Sequence, residues 1–315
     1  MKIFVSLTIL ALGYQSASAG SLLESFGTGD NAFTMEFVTI GNPNNAADTT
    51  GSPNPAGSVA YTYNLGKYEV SRGQFDKANV AGSLGIRMAD MGPYGGNGLL
   101  KPATGISYYE AAKYVNWLNT STGGTAAYKF VSGTFQLWSP TDAGYDANNM
   151  YRNSLAKYVI ASSNEWYKGA YGKAVGSWSN FPNGSDSAPT PVAGGTDANT
   201  AVYGQSYDTG PADITSAGGL SSYGTMGQGG NVWEWNETAV DGINNTAGEN
   251  RVLRGGSWYE IDSVNLGASN RFGYSPSTKV YSFGFRVAAV GVPEPSALSL
   301  LAIGLSGLAM VRRRK

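Results

Sequence analysis

The 315-residue sequence contains no cysteine and no histidine. Without cysteine there are no disulfide staples, so size and packing must hold the folded chain together. Zinc, copper and non-haem iron lose their usual protein ligands, and only hard, oxygen-ligated ions such as Ca²⁺ remain compatible with the side chains present. The same two absences exclude Ser-His-Asp and Cys-His catalysis in their ordinary forms. Charge is also sparse, at 14% of residues.

What is present is apolar, aromatic and rich in glycine: 42% hydrophobic and 12% aromatic residues, with 44 glycines and 20 tyrosines. This is ample material for a core, and it excludes disorder for the bulk, because disordered chains lack aromatics and carry high net charge. It describes a loop-rich, weakly charged fold.

The two ends have separate characters. Met1-Lys2, the apolar run Ile3 to Gly13 and then Ala17-Ser18-Ala19 have the three parts of a secretory signal, predicting a signal peptide over 1–19 and a mature start near Gly20. Val292-Pro293-Glu294-Pro295 leads into an apolar run from Ser296 to Val311 and a basic Arg312-Arg313-Arg314-Lys315 end. Such a run spans about 24 Å as a helix, a thin anchor for a ~30 Å hydrocarbon core, with the basic cluster on the cytoplasmic side and the body outside the inner membrane. Residues 292–315 resemble the PEP-CTERM sorting signal of Gram-negative bacteria. That resemblance implies recognition by an exosortase, transient inner-membrane anchoring, cleavage near Pro-Glu-Pro and a place at the cell surface or outside the cell. A plain single-span tether has the same apolar length and flanking charge. With Lys2, Arg312, Arg313, Arg314, Lys315 and Glu294 removed, 16 basic residues face 21 acidic ones, so the body is near −5 and is not expected to bind nucleic acid.

Between the ends, Phe33, Met35 and Phe37 alternate with polar residues up to Ile40, and Val59, Tyr61, Tyr63 and Leu65 do likewise. This period of two predicts two strands, paired across an Asn/Pro-rich connection. Three serines followed by an acid or amide three residues on, Ser71 with Gln74, Ser107 with Glu110 and Ser162 with Glu165, predict helix starts. After Ser107 the residues Tyr108, Ala111, Ala112, Val115 and Leu118 share one helical face that packs on a core. From Gly172 to Gly230 periodicity is lost, and a connection of that length needs pins, for which buried Tyr or Trp and bound cations are the candidates. No internal repeat or boundary divides residues 20–291.

The stretch Gly229-Gly230-Asn231-Val232-Trp233-Glu234-Trp235 combines a sharp turn, two large aromatic anchors and a carboxylate beside exposed carbonyls, a combination suited to an oxygen-ligated cation. It is followed by Arg251-Val252-Leu253-Arg254-Gly255-Gly256-Ser257-Trp258 and by Gly284-Phe285-Arg286-Val287-Ala288. These blocks in this order, with Lys67-Tyr68-Glu69-Val70-Ser71 and Ile160 to Trp166 upstream, resemble the formylglycine-generating-enzyme (sulfatase-modifying factor) family. The resemblance covers about Phe33 to Ala289. It implies a single-domain α+β, loop-rich fold related to the C-type lectin fold.

It also implies a calcium site from the carbonyls of Gly230 and Val232 and the side chain of Glu234, and a second one using Asn199 and the carbonyl of Thr200. The family's side-chain ligand three residues before Gly230 is missing, since Gly227 stands there. Enzymes of the family oxidise a substrate cysteine using copper held by a cysteine pair, and on an ungapped reading Glu260 and Asn265 occupy those positions. Neither forms the thiolate pair that Cu(I) requires, so no copper and no catalytic residue is expected. Ser257, Trp258, Glu260 and Arg271 form the candidate ligand pocket. Arg254, Arg271 and Arg286 are expected to bond loop carbonyls and carboxylates, and Trp233, Trp235 and Trp258 to anchor the core.

Three functions follow from these features. The first is an exported, surface-directed binding or structural module that has lost the oxidase chemistry, with a glycan, an exopolysaccharide or other matrix material as ligand. The second is a glycan-active enzyme pairing Glu260 with Glu234 or Glu237. The third is an oxidase that borrows metal ligands from a partner.

Overall fold

A computed structural model describes residues 21–174 and 176–291. The predicted signal peptide and the predicted membrane-directed tail lie outside the described residues, among which no helix is long and apolar enough to cross a membrane.

The first alternating run forms β2 (Phe33–Ile40), with β1 (Ser21–Phe26) antiparallel on one side. On the other side lies β3 (Tyr63–Gly66), placing Leu65 opposite Val38 and Tyr63 opposite Ile40. This second strand is shorter than its alternation from Val59 predicts. The reason is local: Val59 donates its N–H to Asn45 Oδ1 and accepts at its carbonyl from Asn44 N–H, so its backbone is bonded to a loop and not to a ladder.

Helices α1 (Arg72–Ala81), α2 (Tyr108–Ser121) and α3 (Ser163–Tyr171) start at the three predicted serines. In each, the serine oxygen accepts from the backbone N–H three residues on, and that residue's side chain accepts from the serine N–H. The apolar stripe of α2 is buried, as its spacing predicts.

Two short strands, β4 (Lys129–Val131) and β5 (Thr134–Gln136), form a hairpin, followed by β6 (Tyr158–Ile160). Among its described residues the segment 172–230 contains only two strands, β7 (Thr190–Pro191) and β8 (Thr200–Ala201), paired in parallel. Single bridges from Gly195 to Ala217, Ala201 to Gly218 and Val202 to Gly230 pin it, and buried Tyr203 donates its hydroxyl to Pro189 O.

The C-terminal half supplies β9 (Trp233–Ala239), β10 (Arg251–Arg254), β11 (Phe272–Tyr274), β12 (Phe283–Gly284) and β13 (Val287–Ala289). One antiparallel sheet has the order β1-β2-β3-β13-β6, with α2 beside β6 and α1 beside α2. The other has the order β11-β10-β9-β12, in which β12 runs parallel to β9. Leaving β12 in one sheet, the chain enters β13 in the other within three residues, so Arg286 stands at their junction. The result is one α+β body with many loops.

Candidate functional site

Gly230 has φ +81°, and a β-carbon there would sit 2.1 Å from the Val202 carbonyl oxygen. The turn therefore requires glycine. Asn231 follows with φ +61°, a left-handed conformation that asparagine tolerates. Its side chain donates to Glu69 Oε2 at 2.6 Å and accepts from Ala212 N–H at 2.8 Å, tying three loops together.

Glu234 then enters β9 fully buried. Its Oε1 accepts from Arg286 Nη2 at 2.6 Å, and its Oε2 accepts from Arg286 Nε at 2.7 Å and from Trp166 Nε1 at 2.7 Å. The same guanidinium donates to the carbonyls of Gly66, Lys67 and Met226. An oxygen cage is present, and the cation inside it is an arginine.

The calcium role expected for Glu234 does not fit this arrangement, because both of its oxygens are bonded and its charge is already neutralised. The neighbouring Glu69 is also buried, with Oε1 lacking any partner, and burial followed by the negative charge of Glu234 pushes its carboxyl well above the usual range. Gly227 has no side-chain oxygen, and a β-carbon there would stand 3.0 Å from Glu69 Oε2. Asn199 and Thr200, the second expected pair, lie three and two residues before the Val202–Gly230 bridge. Asn199 is exposed, and the Thr200 carbonyl accepts from Gly219 N–H. Among the described residues no three Asp or Glu side chains cluster to hold a metal.

The pocket residues divide. Ser257 and Glu260 come together, Ser257 Oγ donating to Glu260 Oε1 at 3.2 Å. Trp233 Nε1 donates to the same oxygen at 2.9 Å, and Asn265 Nδ2 donates to Oε2 at 2.9 Å while its own Oδ1 accepts from Asn270. Glu260 and Asn265, the two positions matched to the family's cysteine pair, thus touch. They floor a cleft of about 210 Å³ whose walls include Trp233, Tyr259, Phe272, Tyr274 and Phe283.

Trp258 and Arg271 are not in that lining. Trp258 is buried in a separate apolar cluster with Val202 and Val232, its Nε1 donating to Tyr207 O at 3.3 Å. Arg271 donates to Val240 O at 3.1 Å. In both cases the following residue, Tyr259 or Phe272, lines the cleft instead.

The remaining buried arginines behave as their surroundings dictate. Arg254 bonds the carbonyls of Asn270 and Ser52 and the hydroxyl of Ser163. Trp235 is fully buried and donates to Ile106 O, while Trp233 both packs in the core and supplies a donor to the cleft. Among the described residues a paired-carboxylate mechanism finds no second acid in this cleft. Glu260 is the single acidic residue in the cleft lining, Glu234 is locked to Arg286, and Glu237 is buried against Arg152, Tyr128 and Asn149.

Phe272 and Tyr274 escaped the sequence reading, although the triplet Phe272-Gly273-Tyr274 carries a signal: residues two apart in a strand share a face. Both remain substantially exposed, at 46% and 43%.

Against known proteins, residues 28–290 match the family model described as a sulfatase-modifying factor enzyme 1-like domain, and residues 291–315 match the PEP-CTERM protein-sorting motif. No curated protein matches the sequence. Among solved structures, Treponema denticola variable protein 1 is similar with a TM-score of 0.61 and 19% identity, over 85% of this chain and 99% of that one. CarF aligns with a TM-score of 0.56 and 18% identity, over 81% and 98%. PvdO from Pseudomonas aeruginosa aligns with a TM-score of 0.52 and 18% identity, over 87% and 99%. At these identities the likeness is one of fold.

Proposed function

Because the chain belongs to the sulfatase-modifying factor enzyme 1-like family and carries a PEP-CTERM sorting motif, we propose that it is an exported binding module whose ligand enters the Glu260 cleft. The motif marks it for sorting by an exosortase to the cell surface or extracellular space. The finer steps of the route, a signal peptide over 1–19 and a transient inner-membrane stage, belong to this proposal.

The observation that carries the reading is the floor of the cleft. At the two positions matched to the family's cysteines stand a carboxylate and an amide, bonded to each other and set by Ser257, Trp233 and Asn270. These are hard oxygen and nitrogen groups, unsuited to Cu(I) and suited to hydrogen-bonding a polar ligand. Exposed aromatic walls above a polar floor match a glycan, whose rings carry hydroxyls at the edge and C–H groups on the faces. Exopolysaccharide or other matrix material is the proposed source. For metal, Arg286 takes the place that the resemblance gives to calcium at Glu234, which leaves Asn199 and the Thr200 carbonyl as the proposed calcium position.

Trp233 supplies the assay, since its indole bonds Glu260 directly. Titration of the purified protein with oligosaccharides is expected to change tryptophan fluorescence saturably, and Phe272→Ala is expected to weaken the response. A flat titration with every oligosaccharide, or a response unchanged in Phe272→Ala, would sink the proposal.

A further inference from the structure

We infer that the group seated against Glu260 is a protonated primary amine, and that the cleft therefore selects an amino sugar with a free ammonium over neutral sugars. This rests on the binding-module reading above and adds the charge of the ligand to it.

The argument begins with what Glu260 lacks. Its two oxygens accept from one indole N–H, one hydroxyl and one amide N–H. All three partners are donors, the surroundings an acceptor-only carboxylate fits. None of them carries charge. Among the described residues, no Lys or Arg forms an ion pair with Glu260, whereas buried Glu165, Glu234 and Glu237 each face an arginine. A half-buried carboxylate at the base of a cleft is thus without a counter-charge.

The second step is the geometry of what remains open. A carboxylate offers about four acceptor positions, and three are used: two on Oε1 and one on Oε2. One position on Oε2 is left for an incoming N–H donor.

Third, the walls favour a cation. Trp233 and Phe272 meet edge to face with centroids 5.0 Å apart, and Tyr274 and Phe283 do so at 5.1 Å. Aromatic faces carry negative potential and attract a cation within about 6 Å. They also give the C–H faces of a sugar ring an apolar surface. An ammonium on a pyranose satisfies the open acceptor, the missing counter-charge and the aromatic walls together. A neutral hydroxyl satisfies only the first.

The test compares glucosamine, glucose and N-acetylglucosamine by tryptophan fluorescence on the purified protein, with lysine methyl amide as a fourth probe. Glucosamine is expected to bind at least about tenfold more tightly than either neutral sugar, in line with a charge-assisted bond worth roughly 1.5 kcal/mol or more. Raising the salt concentration is expected to narrow the gap. Glu260→Gln, which keeps shape but removes charge, is expected to bring all three sugars to one affinity. Tyr274→Ala, at an exposed wall, is expected to weaken all three without touching the floor, which controls for misfolding of the first variant. Equal binding of glucosamine and glucose to the unaltered protein would overturn the charge inference and leave the binding-module reading standing. Binding of lysine methyl amide without glucosamine would overturn the sugar and point to a protein ligand. Failure of all four probes would overturn both readings.

Discussion

Arg286 and Glu234 form a two-point ion pair at zero exposure, with Nη2 to Oε1 at 2.6 Å and Nε to Oε2 at 2.7 Å, at the junction of the two sheets. Removing one member leaves a buried charge with no partner, at a cost of about 3–5 kcal/mol, more than the pair itself contributes. Glu234→Gln and Arg286→Met are each expected to lower unfolding stability by that amount in urea denaturation, and the double variant by less than their sum. Strict additivity would show that the pair is not the unit.

A second buried network sets the acid limit of the fold. Burial raises the Glu165 carboxyl, but the charge and hydrogen bonds of Arg152, with those of Tyr61 and Ser162, outweigh it and hold the group down at about 2. A folded pKa below the unfolded value of about 4.5 contributes stability that is present above pH 4.5 and is lost as pH falls towards 2. Glu69 acts with the opposite sign: its raised pKa gives a contribution present below about 4.5 and lost as pH rises through the folded value. Melting temperature is therefore expected to fall steeply between about pH 4.5 and 2, and Glu165→Gln to be destabilised at pH 7 while showing a shallower acid decline. An unchanged acid slope in that variant would count against Arg152–Glu165 as the origin.

The helix starts and β2 were legible because they depend on residues within one turn or one strand, and each capping box formed as spaced. The site was legible only in part. Ser257 and Glu260 were legible from the Gly-Gly-Ser block and its ungapped continuation, which also carries Asn265 as a position matched to the family's cysteine pair, whereas the role of Phe272 depends on β11 pairing with β10, which brings it opposite Leu253 and against Trp233. The ion pair of Glu234 is hidden from the sequence for the same reason. Its partner, Arg286, is 52 residues away and reaches it only through the crossing from β12 to β13.

If Arg286 supplies the positive charge beside Glu234, divalent ions are not needed to hold the two sheets together. Dialysis against EDTA is then expected to shift the melting temperature by no more than about 2 °C, because the proposed position at Asn199 offers one exposed neutral side chain and a carbonyl, a weak set for Ca²⁺. A loss of 10 °C, restored by Ca²⁺ and not by Mg²⁺, would place calcium at the centre of the fold.

The turn that opens β9 tests whether backbone geometry or side-chain chemistry limits the motif. Gly230 combines φ +81° with the Val202 carbonyl 2.1 Å from where a β-carbon would stand, and its own N–H donates to Gly255 O at 2.7 Å. Alanine there must either move the Val202 segment or break the bond to Gly255, and the next residue, Asn231, bonds both Val202 O and the buried Glu69. Gly230→Ala is expected to cost at least about 3 kcal/mol or to prevent folding. Exposed Gly248, which has open space around it, accepts alanine with a change within about 0.5 kcal/mol. Because neither substitution adds or removes charge, equal urea midpoints for the two variants would mean that the Val202–Gly230 bridge yields, and that the cage around Arg286 does not depend on it.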